Sequence, residues 1–134
     1  MVKAKEDPWI RATGRRKSAI SRVRMKPGTG KILVNKRELP EYFVTVQEQR
    51  RVMAPLVAVG VDKNFDVLAN VHGGGPAGQS GAVAMGIARA IVRSNPEHAH
   101  ALREGRFLTR DSRKKERKKY GRRGARRSFQ FSKR

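Results

Sequence analysis

Ala19-Ile20-Ser21-Arg22-Val23-Arg24-Met25-Lys26 decides the fold class. Ala19, Ser21, Val23 and Met25 face one way, while Arg22, Arg24 and Lys26 face the other. Strict alternation marks a half-buried antiparallel strand, because successive side chains leave opposite faces of the pleat. One face is small and apolar. The other is a row of cations, left open or set against a partner.

Upstream, Thr13-Gly14-Arg15-Arg16-Lys17-Ser18 reads as a basic loop feeding this strand. Downstream, Pro27-Gly28-Thr29-Gly30 is a turn, and Lys31 to Asn35 is a second strand expected to complete a hairpin with the first. Pro40-Glu41-Tyr42-Phe43 is a short helical turn. Thr45 to Val59 reads as a helix with Thr45 and Glu48 as a capping box and Val52, Met53, Leu56 and Val57 inward. Pro55 is expected to kink that helix or end it near Ala54.

Phe65 to His72 alternates again, giving a third strand that Gly73-Gly74-Gly75-Pro76 breaks. A helix of small residues follows from Ala77 to Arg93, with Val83, Ile87, Ala90 and Ile91 on one side. Each interior glycine costs about 1 kcal/mol relative to alanine, so Gly81 and Gly86 predict close approach of this helix to a sheet. Ser94, Pro96 and Glu97 then start a last helix ending near Gly105. The sum is an α+β domain: a small, mostly antiparallel sheet with helices on one face.

Charge divides the 134 residues unevenly. The chain carries +21, yet residues 29–105 hold only nine cations against seven acids. Residues 106–134 hold 14 Lys or Arg against Asp111 and Glu116. We therefore read residues 1–105 as a globular domain and 106–134 as an extended basic tail. With so few large apolar side chains, the tail cannot offset its ordering entropy alone in water. A polyanion that neutralises it and releases counterions changes that balance. Asp111 is expected to cap a short helix running to about Lys119 and ended by Gly121. Past Tyr120 the remaining residues, if extended, reach roughly 45–50 Å.

Charge of this kind selects nucleic acid over a membrane, since the tail lacks the continuous apolar face of a membrane-surface helix. No apolar run approaches a spanning helix, and Met1 to Asp7 lacks an apolar signal core, so a cytoplasmic location is expected. There is no Cys, and His72, His98 and His100 lack metal-ligand company, so neither a metal nor a cofactor is expected. The stretch Gly73-Gly74-Gly75-Pro76-Ala77-Gly78-Gln79-Ser80-Gly81 places backbone N–H groups ahead of a helix N-terminus, as a phosphate-facing loop does. It lacks the Gly-Lys-Ser/Thr of a Walker loop. It faintly resembles the loop of galactose- and homoserine-type kinases, but neither a second substrate domain nor enzymatic activity is expected. A tight turn with close helix packing is the plainer reading, and Tyr120, Phe129 and Phe131 either stack on bases or pack locally. A DNA-compacting nucleoid protein is the other binding class that such charge allows.

Several motifs in order then narrow the choice. Thr13-Gly14-Arg15-Arg16-Lys17-Ser18-Ala19, Gly73-Gly74-Gly75 through Gly78-Gln79 and Gly86-Ile87-Ala88-Arg89-Ala90 resemble the ninth protein family of the small ribosomal subunit. So do Leu108-Thr109-Arg110-Asp111, Arg117-Lys118-Lys119-Tyr120-Gly121 and Ser132-Lys133-Arg134. Lys36 stands where the family pattern has glycine, and Phe131 where it has tyrosine. The resemblance implies a β-α-β unit with a left-handed crossover, against the usual hand. It implies a structural protein that binds ribosomal RNA in the subunit head beside neighbouring ribosomal proteins. Phosphate contacts then fall to Arg15, Arg16, Lys17, Arg22 and Arg24 in the body. In the tail they fall to Arg110, Arg113, Arg117, Lys118, Lys119, Arg122, Arg123, Arg126 and Arg127. The terminal Lys133 and Arg134 are implied to approach the anticodon stem-loop of transfer RNA in the peptidyl site. Guanidinium forks and ammonium charges hold phosphate without reading sequence, as a site serving every transfer RNA requires.

Overall fold

The computed structural model of the chain describes residues 9–114 and 116–127. Five strands form one sheet: β1 (Ile10–Arg16), β2 (Ala19–Pro27), β3 (Ile32–Val34), β4 (Arg37–Glu38) and β5 (Phe65–His72). Between β4 and β5 lie α1 (Leu39–Tyr42) and α2 (Val46–Ala58). After β5 come α3 (Pro76–Ser94), a 3-10 turn (Pro96–His98) and α4 (Ala99–Glu104). The strand order is β1-β2-β5-β3-β4, antiparallel except where β3 runs parallel to β5. The β3-to-β5 connection through α1 and α2 is the β-α-β unit.

Two expectations about pairing are corrected. The supposed basic loop is the end of β1, Thr13 to Arg16, and its turn at Lys17 and Ser18; β1 pairs with β2 along its whole length. Nor do β2 and β3 form a hairpin, because β5 lies between them. β5 matches β2 over eight residues, from Ile20 opposite His72 to Pro27 opposite Phe65, whereas β3 has only three to offer. The connecting loop is also held from outside. Backbone N–H groups of Thr29, Gly30 and Lys31 donate to Asp66 Oδ1 at 3.0, 3.2 and 3.1 Å. That clamp carries the chain over the end of β5, so β3 emerges on its far side. The next hairpin, β3 to β4, turns through Asn35 and Lys36 with φ of 50° and 68°. Lys36 thus occupies a left-handed position at the place where the family pattern has glycine.

Alternation along the strands sets up two faces. Met25, Val67 and Ile32 align across the inner face, as do Val23, Ala69 and Val34. They meet Phe43, Val52, Leu56, Val83, Ile87, Ile91 and Leu102, all fully buried. α3 lies directly on β1 and β2. A Cβ on Gly86 would sit 2.5 Å from Val23 Cγ2, and one on Gly14 would sit 1.9 Å from the Ala82 carbonyl oxygen. This close approach is the packing reason that Gly86 predicted.

The helices depart from expectation in their ends. α2 runs past Pro55 to Ala58; the ring is buried beside Val52 and Leu56, and this packing offsets the backbone bond that proline cannot make. Val57 faces solvent rather than the core. Thr45 makes no side-chain cap; instead the Gln49 amide donates to the Phe43 carbonyl at 2.7 Å. α3 absorbs Ser94, and Asn95 caps the following turn by accepting from Glu97 N. No helix forms over the described residues between Asp111 and Lys119. Asp111 accepts from Arg113 N at 3.0 Å, as a cap would, but the cations that follow repel one another on every side of a helix.

Candidate nucleic-acid interface

The outer face of the sheet is built by the same alternation. Register places Arg11 beside Arg24, Thr13 beside Arg22 and Asn70, and Arg15 beside Ile20 and His72. Trp9 stacks beneath two of the cations, with Arg24 Cζ 5.7 Å and Lys26 Nζ 4.7 Å from its ring centre. Asp66 shares this face next to Lys26, but its carboxylate is engaged by the loop. Donation first from Lys31, then from Thr29, holds that carboxyl below the usual range.

α3 adds to this face from behind. Its Arg89 guanidinium donates to the Thr13 carbonyl at 2.7 Å, and Arg93 donates to the Arg11 carbonyl. Among the described residues β1 is the edge strand, so these carbonyls point away from β2 with no further strand beside them. The spacing suits the task, since four helix residues rise about 6 Å and two strand residues about 6.8 Å. The two arginines reach round the sheet edge and cover a template for strand addition. Arg93 also lines a cavity of about 330 Å³ with Arg11, Thr13, Arg22, Arg24 and Asn70. Four guanidiniums around one opening suit phosphate oxygens, which each planar fork can bind in pairs.

The remaining sequence-predicted residues separate into groups. Arg22 and Arg24 lie on the outer face with exposed Arg15. Arg16, half-buried, points to the other side and lies 3.9 Å from Asp111. Lys17 sits exposed in the turn at φ 53°. Gly73 and Gly74 adopt φ of 79° and 66°, and Gly75 precedes α3; all three are exposed. Gly78 is buried against the Arg16-to-Ala19 turn. The Gln79 amide looks inward, donating to the Gly73 carbonyl at 3.2 Å and accepting from the Tyr42 hydroxyl at 2.6 Å. It therefore holds the glycine loop in shape.

Along the tail, Arg110, Arg113, Arg117, Lys118, Lys119, Arg122, Arg123, Arg126 and Arg127 are exposed. Asp111 engages Arg113 through both oxygens, which pulls its carboxyl far below the ordinary range. Glu116 pairs with Lys119 and Arg126. Tyr120 is fully exposed. Met1 to Asp7, Lys115, Phe129, Phe131, Lys133 and Arg134 lie outside the described residues.

Sequence reasoning missed Arg11, Arg51, Arg89, Arg93 and Arg106. Arg11 carried a signal, because Arg11, Thr13 and Arg15 keep the period of a strand. Arg89 and Arg93 carried half of one, as a pair four apart on a helix. Among the described residues no cluster of His, Asp or Glu is placed to hold a metal, and no helix is long and apolar enough to cross a membrane.

Known proteins resemble the chain over most of its length. The sequence model of the family described as ribosomal protein S9/S16 matches residues 14–134. The small ribosomal subunit protein uS9 of Treponema pallidum is 55% identical over 122 residues, covering 91% of this chain and 95% of that protein. Its namesake in Rhodopirellula baltica is 53% identical, covering 91% and 89%. The one in Mycobacterium leprae is 51% identical, covering 93% and 82%. A match of this breadth, on a fold whose strands carry one apolar and one cationic face, settles the assignment: the chain belongs to the S9/S16 family of ribosomal proteins.

Proposed function

We propose that this non-enzymatic protein, a structural constituent of the small ribosomal subunit, binds ribosomal RNA of the subunit head through the outer face of its sheet. Arg15, Arg22 and Arg24 meet the phosphates there, joined by Arg16 and Lys17 at the turn. The tail beyond residue 105 threads along RNA, its Arg and Lys side chains neutralising the backbone, while neighbouring ribosomal proteins share the head. Lys133 and Arg134 approach the anticodon stem-loop of peptidyl-site transfer RNA. The exposed Gly73-Gly74-Gly75 loop offers backbone N–H groups to a further phosphate. The protein works in the cytoplasmic ribosome.

The observation that carries this reading is the cationic row on a strand face that no helix covers among the described residues. Cations held in register by a backbone ladder need little reorganisation to meet a polyanion, and each phosphate neutralised releases counterions. Sedimentation of tagged protein through a sucrose gradient at raised salt tests it. Co-migration with small subunits and whole ribosomes is expected; protein that runs free or follows DNA contradicts it. Removing Lys133 and Arg134 tests the tip separately. Weaker peptidyl-site transfer RNA binding in otherwise assembled ribosomes is the expected result, and unchanged binding with unchanged frame maintenance rejects that role.

A further inference from the structure

A second arginine cluster lies where the tail leaves the body. Arg15 and Arg16 at the end of β1, Arg51 of α2, and Arg106 and Thr109 beyond α4 line a cavity of about 240 Å³. Ala84, Met85 and Phe107 form its apolar floor. Asp111 is the single acid in the lining, and it is already engaged by Arg113 through both oxygens.

Three observations indicate a built site. Arg51 is held in place, donating to the Ala77 carbonyl at 3.1 Å and to the buried Ser80 hydroxyl at 3.3 Å. Arg16 owes its position to Gly81, where a Cβ would meet the arginine Cδ at 2.3 Å; the bare helix face leaves room for the side chain. Arg106 adopts φ 60°, a left-handed conformation that L-residues disfavour. That turn lets Phe107 N donate to the Leu102 carbonyl at 3.0 Å and brings Phe107 and Leu108 onto the core. The chain thus folds back at Arg106 to close the cavity.

We propose that this cavity binds a single phosphodiester of the RNA backbone, fixing the root of the tail against the body at the moment RNA is bound. The inference rests on the RNA-binding reading and adds a site to it. Arg16, Arg51 and Arg106 around one opening outweigh the single carboxylate of Asp111, which lies 3.9 Å from Arg16, and each fork matches two phosphate oxygens. Low-dielectric walls on one side strengthen that attraction over its value in water. The volume is below the usual range of small-molecule clefts and has room for a phosphate; the charge of the lining is what selects an anion. Once seated, the anion joins β1, α2 and the tail root, three segments distant in sequence.

The test uses the full chain as wild type, as Arg106→Gln, and as Arg51→Lys/Arg106→Gln, with thermal melts confirming that all three fold. Affinity for ribosomal RNA of the small-subunit head is measured across salt concentrations, with Arg22→Ala/Arg24→Ala as the control. Arg106→Gln should weaken binding about tenfold and lower the salt slope by about one phosphate, and the double variant should weaken it further. Inorganic phosphate should shift the Arg51 Nε and Thr109 amide NMR signals, and the RNA should displace it. Wild type that binds RNA, with Arg106→Gln equal to it in affinity and slope, overturns the cavity and leaves the RNA reading standing. Phosphate shifts that RNA does not displace assign the cavity to a free anion and also overturn it. If neither wild type nor control binds the RNA, the wider reading has failed.

Discussion

The two faces of the sheet come from the same strands, yet they obey different rules. On the inner face, Ala12, Gly14, Ser21, Val23 and Met25 sit under α3 with no space to spare. On the outer face, Arg11, Arg15, Arg22, Arg24 and Lys26 stand in register, with no helix of the described residues above them. The inner face is sensitive to a single methyl group and indifferent to salt. The outer face should tolerate loss of volume and respond steeply to salt. On the proposed function, alternation in sequence is also a division of labour, with stability on one side and binding on the other.

Gly14→Ala attacks the inner face most directly. The new methyl would meet backbone atoms, the Ala82 oxygen at 1.9 Å and the Gly86 nitrogen at 2.4 Å, which cannot rotate away. We expect a loss of about 3 kcal/mol or more, read as a collapse of the denaturation midpoint. A variant as stable as wild type would end the claim that α3 is pressed onto β1.

Removing the edge cover tests the border between the faces. Arg89→Ala/Arg93→Ala should cost about 1 kcal/mol, since both bonds are partly exposed. It should also uncover the β1 carbonyls, so light scattering should detect concentration-dependent self-association that wild type lacks. A monomeric variant would reduce these arginines to phosphate ligands.

Asp66 supplies a pH test on the outer face. Its folded-state pKa is depressed, chiefly by donation from Lys31, so its stabilisation is present above the unfolded carboxyl pKa. That stabilisation is lost as pH falls through the lower folded value. Asp66→Asn should flatten this acid-side decline in unfolding experiments; a parallel curve would show that the β2-to-β3 loop holds without the carboxylate.

The smallest effect runs the other way. Ser21 is fully buried on the inner face, and its hydroxyl has no hydrogen-bond partner among the described residues. Ser21→Ala should raise stability by about 1 kcal/mol and leave RNA affinity unchanged.

Both faces were legible wherever side chains had bulk or charge. Ala19 to Lys26 and Phe65 to His72 announced their strands because large and charged residues alternate there. β1 escaped because its inward residues, Ala12 and Gly14, are reduced to almost nothing by the helix lying on them, so the period carries no apolar weight. The place of β3 escaped because Asp66, about 35 residues away, directs the turn; no local pattern contains that bond. The tail helix was over-read from one capping residue, against the mutual repulsion of the cations that follow. In the interface, Arg22 and Arg24 followed from alternation alone. Arg51, Arg89, Arg93 and Arg106 depended on which helix or turn met which sheet edge, and that is decided by packing.

The central claim is that the cationic outer face binds RNA while the apolar residues beneath α3 hold the fold. The most direct measurement is the affinity of Arg22→Ala/Arg24→Ala for ribosomal RNA of the small-subunit head, taken across a salt series beside a thermal melt. We predict an unchanged melting temperature, weaker binding and a salt slope lower by about two phosphates. An unchanged slope with a fallen melting temperature would contradict the account, placing these arginines in the fold rather than at the interface.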